Sequence, residues 1–236
     1  HYQARAFQNR KGFKSVVALR LRHVAKETFQ YSQNLITVVM PEAIGIMQDG
    51  FYGTGLRSCF FPKLVRINDS AFQCCQIKVL NSESFPALES IGKFGFFQNP
   101  ITSVNLPSLT SINDETFECC KYLKRFRAEK LQEVGTNCFN KCPKLQSINC
   151  DLEPDDFICF RCQECPICEG KVSECLKRGR LQMKLEKTRR LQVRILISFG
   201  QLQRNLVDGV KRVEKVDDLL EQLQNRAENA FEQEQK

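Results

Sequence analysis

Phenylalanine recurs along the first 150 residues at steps of 21 to 24 positions, with aliphatic residues at fixed distances around it. Five positions before each of the last six of these phenylalanines stands Val or Ile, and three positions earlier stands Leu or Ala. The seven anchors are Phe7, Phe29, Phe51, Phe72, Phe96, Phe117 and Phe139. A unit of this length cannot bury its apolar side alone, whereas stacked copies share one core. The pattern therefore predicts a repeat solenoid with the anchor phenylalanines as its inner spine.

Each anchor is followed by a second pair of apolar positions three residues apart. The alternation of apolar and polar residues at 38–40 and 104–106 predicts one short strand per repeat. A proline after several of these segments stops the strand at an edge. The step from Phe72 to Phe96 is the longest of the six, which predicts a small bulge before Phe85 and Pro86.

The stretch "ITSVNLPSLTSINDETFECCKYL" (residues 101–123) resembles the BspA-like leucine-rich repeat, with its L-x-x-I-x-L-P, I-G/N-x-x-x-F and C-x-x-L elements. The resemblance covers residues 6–150, although the proline is missing after Leu80, Phe126 and Ile148. It implies a curved solenoid that binds macromolecules and, in many members, a place on a cell surface. Because the chain starts within the pattern, we expect residues 1–150 to form about seven repeats that are truncated at the N-terminus.

Residues that flank the inward aliphatic position of each strand point away from the core. One of the two flanking positions is mostly Ser or Thr, which indicates a structural role, whereas the other varies from repeat to repeat. Variation on a fixed scaffold is typical of a recognition surface for a protein or glycan. The basic residues near the end of the array favour either an acidic partner or a solvated face. The candidate binding residues are Val39, Phe60, Asn81, Asn105, Arg125, Arg127 and Asn149.

Thirteen cysteines are present, and most of those before residue 150 fit the repeat. Cys75, Cys120 and Cys142 each stand three residues after an anchor, where other repeats carry Ser, Thr or Asn. We expect these three side chains to be buried single thiols that pair with the backbone.

A cysteine-rich joint, residues 151–175, follows the repeats. Its C-x-x-C pairs have the spacing that lets two thiolates share one metal ion. The candidate zinc ligands are Cys159, Cys162, Cys165 and Cys168. Unpaired or disulfide-linked cysteines, an iron–sulfur cluster and a redox pair stay open as alternatives. The segment "ECPICEG" also resembles part of a RING-type zinc finger, which needs eight ligands and usually a His, but the only histidines are His1 and His23.

Residues 176–236 are rich in Leu, Lys, Arg, Glu and Gln and lack Pro, which predicts an amphipathic helix and a coiled coil. The first part of this tail is basic. Basic helices can lie on anionic membranes or bind calmodulin-like partners, and a solvated helix face can be equally basic. We expect self-association through this helix and no contact with a membrane surface. The predicted seam is Leu206, Val210, Val213, Val216, Leu220, Leu223, Ala227 and Ala230.

The formal charge of +8 is too modest for a nucleic-acid-binding protein, and no aromatic residues alternate with the charges on one face. No nucleophile with a base, paired acids or phosphate-binding loop stands out. The sequence therefore predicts a non-catalytic scaffold for protein interaction. A zinc-binding adaptor resembling a ubiquitin ligase and a cell-surface adhesin are the alternatives. The thiol-rich repeats and the coiled coil favour the cytoplasm over the cell surface, which would require an upstream signal sequence.

Overall fold

The computed structural model of the chain describes residues 3–160 and 162–234, with side chains for all of these except 203 and 206–234. Two compact units are present, one ending at Met183 and the other beginning at Lys184. The first unit is a parallel β-solenoid of about six turns. The predicted seam from Leu206 onward lies outside the described side chains.

In the described part of the chain, thirteen short strands alternate between the two sides of the solenoid coil. The odd-numbered strands are β1 (Ser15–Val17), β3 (Thr37–Val39), β5 (Ser58–Phe60), β7 (Val79–Leu80), β9 (Ser103–Asn105), β11 (Arg125–Arg127) and β13 (Ser147–Asn149). The even-numbered strands are β2 (His23–Val24), β4 (Gly45–Ile46), β6 (Arg66–Ile67), β8 (Ser90–Ile91), β10 (Ser111–Ile112) and β12 (Glu133–Val134). The single strand per repeat that the sequence predicts is therefore accompanied by a second, two-residue strand.

Among the described residues all strand pairs are parallel, and each strand pairs with its equivalent in the next repeat except that β5 does not pair with β7. The even-numbered strands form one continuous six-stranded sheet, called here the short-strand sheet. The odd-numbered strands form two sheets, β1-β3-β5 and β7-β9-β11-β13, whose outward surface is called here the long-strand face. The interruption between β5 and β7 falls in the repeat with the longest anchor spacing.

The predicted bulge lies at this interruption. Residues 82–84 form a turn, in which the side-chain oxygen of Asn81 accepts a hydrogen bond from the backbone N–H of Ser84 at 3.0 Å. Phe85 follows and is buried, with its ring centroid 5.9 Å from that of Phe61. The extra residues thus bulge outward from the strand, and Phe85 occupies the next core position.

The anchor phenylalanines form the inner spine that the sequence predicts. Their rings stack from repeat to repeat with centroid distances of 5.1 to 6.1 Å and interplanar angles of 1 to 7°. All except Phe7 are fully buried. Burial of one such ring stabilises the fold by about 1.5–3 kcal/mol, and stacking adds about 0.5–1.5 kcal/mol per pair.

After β13 a 3₁₀ helix, η1 (Pro154–Asp156), leads to the cysteine-rich joint, and α1 (Val172–Glu234) follows as one helix of 63 residues. Its sequence contains many strong helix formers and no proline. The helix continues through Gly200. Among the described residues, no helix carries an apolar stretch long enough to cross a bilayer.

Candidate functional site

The long-strand face begins with a row of apolar side chains. Strand register places Val17 beside Val39 and Val39 beside Phe60. Val17 is 65% exposed and Phe60 is 44% exposed, while Val39 is partly covered. Leu19, two residues after Val17, is exposed as well. Val39 and Phe60 are sequence-predicted site residues, and Val17 occupies the same outward-facing column in the first repeat.

Asn81 does not extend this row as a freely presented side chain. Its side-chain oxygen stabilises the inserted turn through Ser84, and its backbone carbonyl accepts a hydrogen bond from Phe85 at 3.1 Å. The inserted turn separates the apolar row from the strands that follow, so the long-strand face has two halves with different chemistry.

Apart from Val79, which is 48% exposed, the second half of the face is polar and basic. Arg125 is exposed and lies between Ser103 and Ser147 in register. Arg127 is instead engaged with Glu129, to which its guanidinium donates at 2.6 and 2.9 Å. Within the described part of the chain Arg125 forms no ion pair, so it is the cation of this face that is available to a partner.

Two further predicted residues complete the polar half. Asn105 and Asn149 flank Arg127 in register, one on each side. Asn105 is exposed, and Asn149 is partly covered. The structure thus brings four of the seven predicted binding residues together in this half, around Arg125.

The position three residues after each anchor has the structural role predicted for it. Cys75 donates from Sγ to the carbonyl of Phe51 at 3.1 Å, and Cys142 donates to the carbonyl of Phe117 at 3.1 Å. Burial raises the pKa of Cys75 to about 12. This column therefore holds protonated thiols that link one repeat to the preceding one, and it is not a reactive site.

The joint gathers the four predicted ligand cysteines at one point. Their sulfur atoms all lie within 4.8 Å of one another, and Cys162 Sγ lies 3.6 Å from Cys168 Sγ. Cys165 is buried and Cys168 is exposed, while Cys159 and Cys162 are partly covered. The cluster is therefore reachable from solvent on one side.

The thiols of the cluster differ in acidity. Partial burial opposes ionisation of Cys162, but backbone hydrogen bonds from Lys141 and Glu164, together with the neighbouring thiols, lower its pKa to about 6. Burial raises the pKa of Cys165 to about 12 and that of Cys159 well above its ordinary value. Within the cluster Cys162 is thus the thiol whose environment most favours the thiolate.

The two remaining cysteines of this region lie elsewhere. Cys150 is buried in the solenoid core, and Cys175 is buried at the start of α1, where its Sγ donates to the carbonyl of Leu145 at 3.6 Å. Among the described residues the cluster thus holds four thiols, whereas a RING-type finger needs eight ligands.

The joint is built directly on the last repeat. The Phe157 ring lies 6.1 Å from the Phe139 ring, which extends the spine by one aromatic. The backbone N–H of Phe160 donates to the side chain of Asn137 at 2.7 Å, and the backbone N–H of Asn137 donates to the carbonyl of Ile158 at 2.8 Å. The cluster therefore sits on the end of the solenoid as a further, incomplete coil.

The beginning of α1 is fixed to the same end of the solenoid. Arg178 donates from Nε to the carbonyl of Gln146 at 2.8 Å, and Arg180 donates to the carbonyl of Leu152 at 3.1 Å. At Gly179 an added Cβ would lie 2.0 Å from the Ile148 carbonyl oxygen. The helix can approach the strand this closely because it carries a glycine here.

A family model for the BspA type leucine rich repeat region matches residues 2–123 and 44–157, with six copies of the repeat. The chain therefore belongs to the BspA-type leucine-rich repeat family. The family suggests a role in protein interaction or a surface adhesin-like role, and its proteins are generally non-catalytic scaffolds. The comparison with curated proteins gives no match.

The solved structures similar to this chain include two leucine-rich repeat proteins. One is a leucine-rich repeat protein from Eubacterium ventriosum ATCC 27560, with 11% identity, a TM-score of 0.44, and coverage of 65% of this chain and 64% of that one. The other is a leucine rich cell surface protein from Faecalibacterium prausnitzii A2-165, with 19% identity, a TM-score of 0.30, and coverage of 64% and 63%. The chain thus spans less than two thirds of either protein.

Proposed function

We propose that this chain is a non-catalytic scaffold that binds a protein partner on the long-strand face. The observation that supports this proposal is the exposed row of Val17, Val39 and Phe60, which lies on the same face as the unpaired Arg125. Aromatic residues and Arg are enriched in protein interfaces, and Arg is among the residues that carry most of the binding energy, so Phe60 and Arg125 are the expected anchors of this face. Membership of a repeat family associated with protein interaction supports the same conclusion.

The apolar row and Arg125 indicate which side chains a partner would present. Phe60 on β5 and Arg125 on β11 are three repeats apart. Although β5 and β7 do not pair, the short-strand sheet is continuous through these repeats, which gives a separation of about 15 Å at the usual strand spacing. An extended segment covers that distance with about four or five residues. The partner is therefore a protein segment that presents an apolar side chain and a carboxylate at this separation.

A random peptide library displayed on phage tests this function. Selection on the immobilised full chain should enrich peptides with an apolar and an acidic residue about four or five positions apart. A selected peptide, measured by isothermal titration calorimetry, should bind Phe60→Ser and Arg125→Glu at least tenfold more weakly. The matched controls Ile44→Ser and Arg66→Glu change exposed residues away from this face and should stay within twofold.

Two outcomes would contradict the proposal. One is a set of selected peptides that lack acidic residues or that bind equally to the face variants and to the controls. The other is binding on a glycan array that Phe60→Ser and Arg125→Glu abolish while no peptide is selected, which would assign the face to a glycan.

We further propose that α1 brings two copies of the scaffold together. Leu185, Ile195, Phe199 and Leu202 are each at least 50% exposed and share one side of the helix. Their heptad positions continue in the sequence through Leu206, Val213 and Leu220. Thr188, Gln192 and Gly209 interrupt this register, but apolar residues occupy most of its other core positions between residues 185 and 220. Such a seam is typical of a coiled coil, in which a second copy of this chain supplies the matching stripe.

A further inference from the structure

The four sulfur atoms of the joint have the separation of ligands around a single metal ion. Tetrahedral zinc with Zn–S bonds of about 2.3 Å places its sulfurs about 3.8 Å apart. The Cys162–Cys168 sulfur distance is 3.6 Å, and all pairs lie within 4.8 Å. A disulfide would require a sulfur distance of about 2.05 Å, and all four residues are free thiols.

We propose that the joint binds one Zn²⁺ ion through four thiolates, those of Cys159, Cys162, Cys165 and Cys168. Four protein ligands complete a tetrahedral zinc site and leave no position for substrate, so the site is structural. It does not depend on the binding face proposed above, because it lies on the joint that follows the last strand.

The backbone around the cluster is arranged for sulfur ligands. Backbone hydrogen bonds reach Cys162 from Glu164, two residues later, and Cys165 from Ile167 and Cys168, two and three residues later. Cys159 receives one from the backbone of Cys162. N–H groups directed at three of the four sulfurs offset part of the charge that four thiolates bring to one ion.

The last repeat adds a further donor to the site. A backbone hydrogen bond from Lys141 reaches Cys162. Lys141 and Gln163 both have positive φ, 53° and 59°, and stand 22 residues apart, as equivalent positions of consecutive repeats do. The turn that carries the ligands is therefore the turn of the repeat itself, adapted to hold cysteines at the end of the array.

The donor set favours zinc over other metals. Four thiolates without oxygen or nitrogen ligands select zinc or iron–sulfur chemistry among the biological metals. An iron–sulfur cluster places several irons and sulfides between its cysteines, so its ligand sulfurs lie farther apart than around one ion. The close grouping in the joint fits the single ion.

The position of the site gives the ion a function in the fold. Solenoids need a terminal unit that covers the exposed core of the last repeat. The joint supplies this unit, with Phe157 against Phe139, whereas Ile158 and Phe160 on either side of Cys159 are exposed. Only three residues separate Cys168 from Val172, the first residue of α1. Zinc would therefore fix both the end cap of the solenoid and the start of the helix.

Metal analysis of the full chain tests the proposal. The chain is purified under reducing conditions without chelator, and its metal content is measured by inductively coupled plasma mass spectrometry. We expect one zinc per chain in the wild type and in the control Cys74→Ser, which changes a partly exposed cysteine outside the cluster. Cys162→Ser and Cys168→Ser should lose at least nine tenths of the zinc.

A second measurement covers the case in which the variants fail to fold. Wild-type chain stripped of metal is titrated with Co²⁺, which gives intense visible bands when four thiolates surround it tetrahedrally. Saturation at one Co²⁺ per chain and displacement by Zn²⁺ would support the site. Absence of these bands, zinc content that the cysteine variants leave unchanged, or iron with inorganic sulfide in the wild type would overturn it.

Discussion

At the residue scale, one position of the repeat donates the same hydrogen bond with different side chains. Three residues after each anchor, Ser32, Asn99 and Cys120 all donate to the carbonyl of the anchor in the preceding repeat, at 2.7, 2.7 and 3.4 Å. The requirement is for a small buried donor, because the carbonyl would otherwise be buried without a partner. Cysteine satisfies this requirement without contributing a charge.

The donor role of Cys120 can be separated from its volume. Cys120→Ser keeps a donor and should change the free energy of unfolding by less than about 1 kcal/mol, whereas Cys120→Val removes it and should cost about 1–3 kcal/mol. Chemical denaturation followed by circular dichroism measures both. Equal stability of the two variants would show that the thiol acts through packing alone.

Asp114 carries a stabilising charge on the loop after β10. Its carboxylate accepts from the backbone N–H of Thr136 at 2.8 Å and from the hydroxyl of Thr136 at 3.0 Å. These two hydrogen bonds, the backbone one first, lower the pKa of Asp114 below its ordinary value. The charged form is therefore held more tightly in the folded chain than in the unfolded chain.

The pH dependence of Asp114→Asn tests this interaction. A lowered folded pKa contributes stability above the ordinary Asp pKa of about 3.9, and that stability is lost as pH falls through the folded value. The variant should be less stable by about 0.5 kcal/mol at pH 7, a small figure because the site is solvent-screened. The gap should close as the solution is acidified below pH about 4 in denaturation curves, and a gap that widens there would contradict the assignment.

The sequence predicts the roles of some individual residues but not of others. The column of Cys75, Cys120 and Cys142 is visible because it keeps its distance from the anchor phenylalanine. The role of Asn81 cannot be predicted from the sequence, because an outward-facing residue at the end of a strand can equally well close a turn. The pairing of Arg127 with Glu129 likewise depends on side-chain conformation rather than on spacing.

At the element scale, the start of α1 depends on one glycine. Gly179→Ala would place a methyl group about 2.0 Å from the Ile148 carbonyl oxygen, so the helix must shift from the strand. We expect a loss of about 1–3 kcal/mol in the free energy of unfolding. At Gly200 no atom lies within 4 Å of an added Cβ, so the control Gly200→Ala should stabilise by about 0.5–1 kcal/mol. Thermal denaturation distinguishes the two, and similar behaviour of both would argue against the close approach.

The apolar stripe of α1 predicts that the chain forms a dimer. The wild-type chain of 27.2 kDa should sediment with twice that mass, because the stripe is buried only against a second copy. Phe199→Glu puts a charge into the stripe and should raise the dissociation constant at least tenfold, whereas Arg190→Glu, on the opposite side of the helix, should not. Sedimentation equilibrium gives these masses, and a monomeric wild type at micromolar concentration would exclude the dimer.

Strands and helix differ in how far the sequence predicts them. The strands at 38–40 and 104–106 alternate clearly, and the structure confirms β3 and β9 there. The short-strand sheet was missed because two residues such as Arg66 and Ile67 are too few to show alternation. The sequence also places the helix start near residue 176, whereas α1 begins at Val172, since the cysteine spacing obscures the first turn.

At the scale of the whole molecule, the candidate sites arise from register. C-x-x-C spacing identifies the four joint cysteines, but only the fold shows that their sulfurs converge on the end of the last repeat. The row of Val17, Val39 and Phe60 is made of residues 21 or 22 positions apart, and it becomes one surface only when the repeats stack. A repeat protein thus turns separate single residues into a continuous recognition face.

Site-specific photo-crosslinking in cells tests the binding face most directly. A photoreactive phenylalanine analogue replaces Phe60 in one full-length chain and Ile44 in another, two positions of similar exposure, 44% and 40%. We predict a discrete protein adduct from position 60 that Arg125→Glu removes, and none from position 44. Adducts of equal yield from both positions, or an adduct from position 60 that survives Arg125→Glu, would contradict a partner held jointly by the apolar row and the arginine.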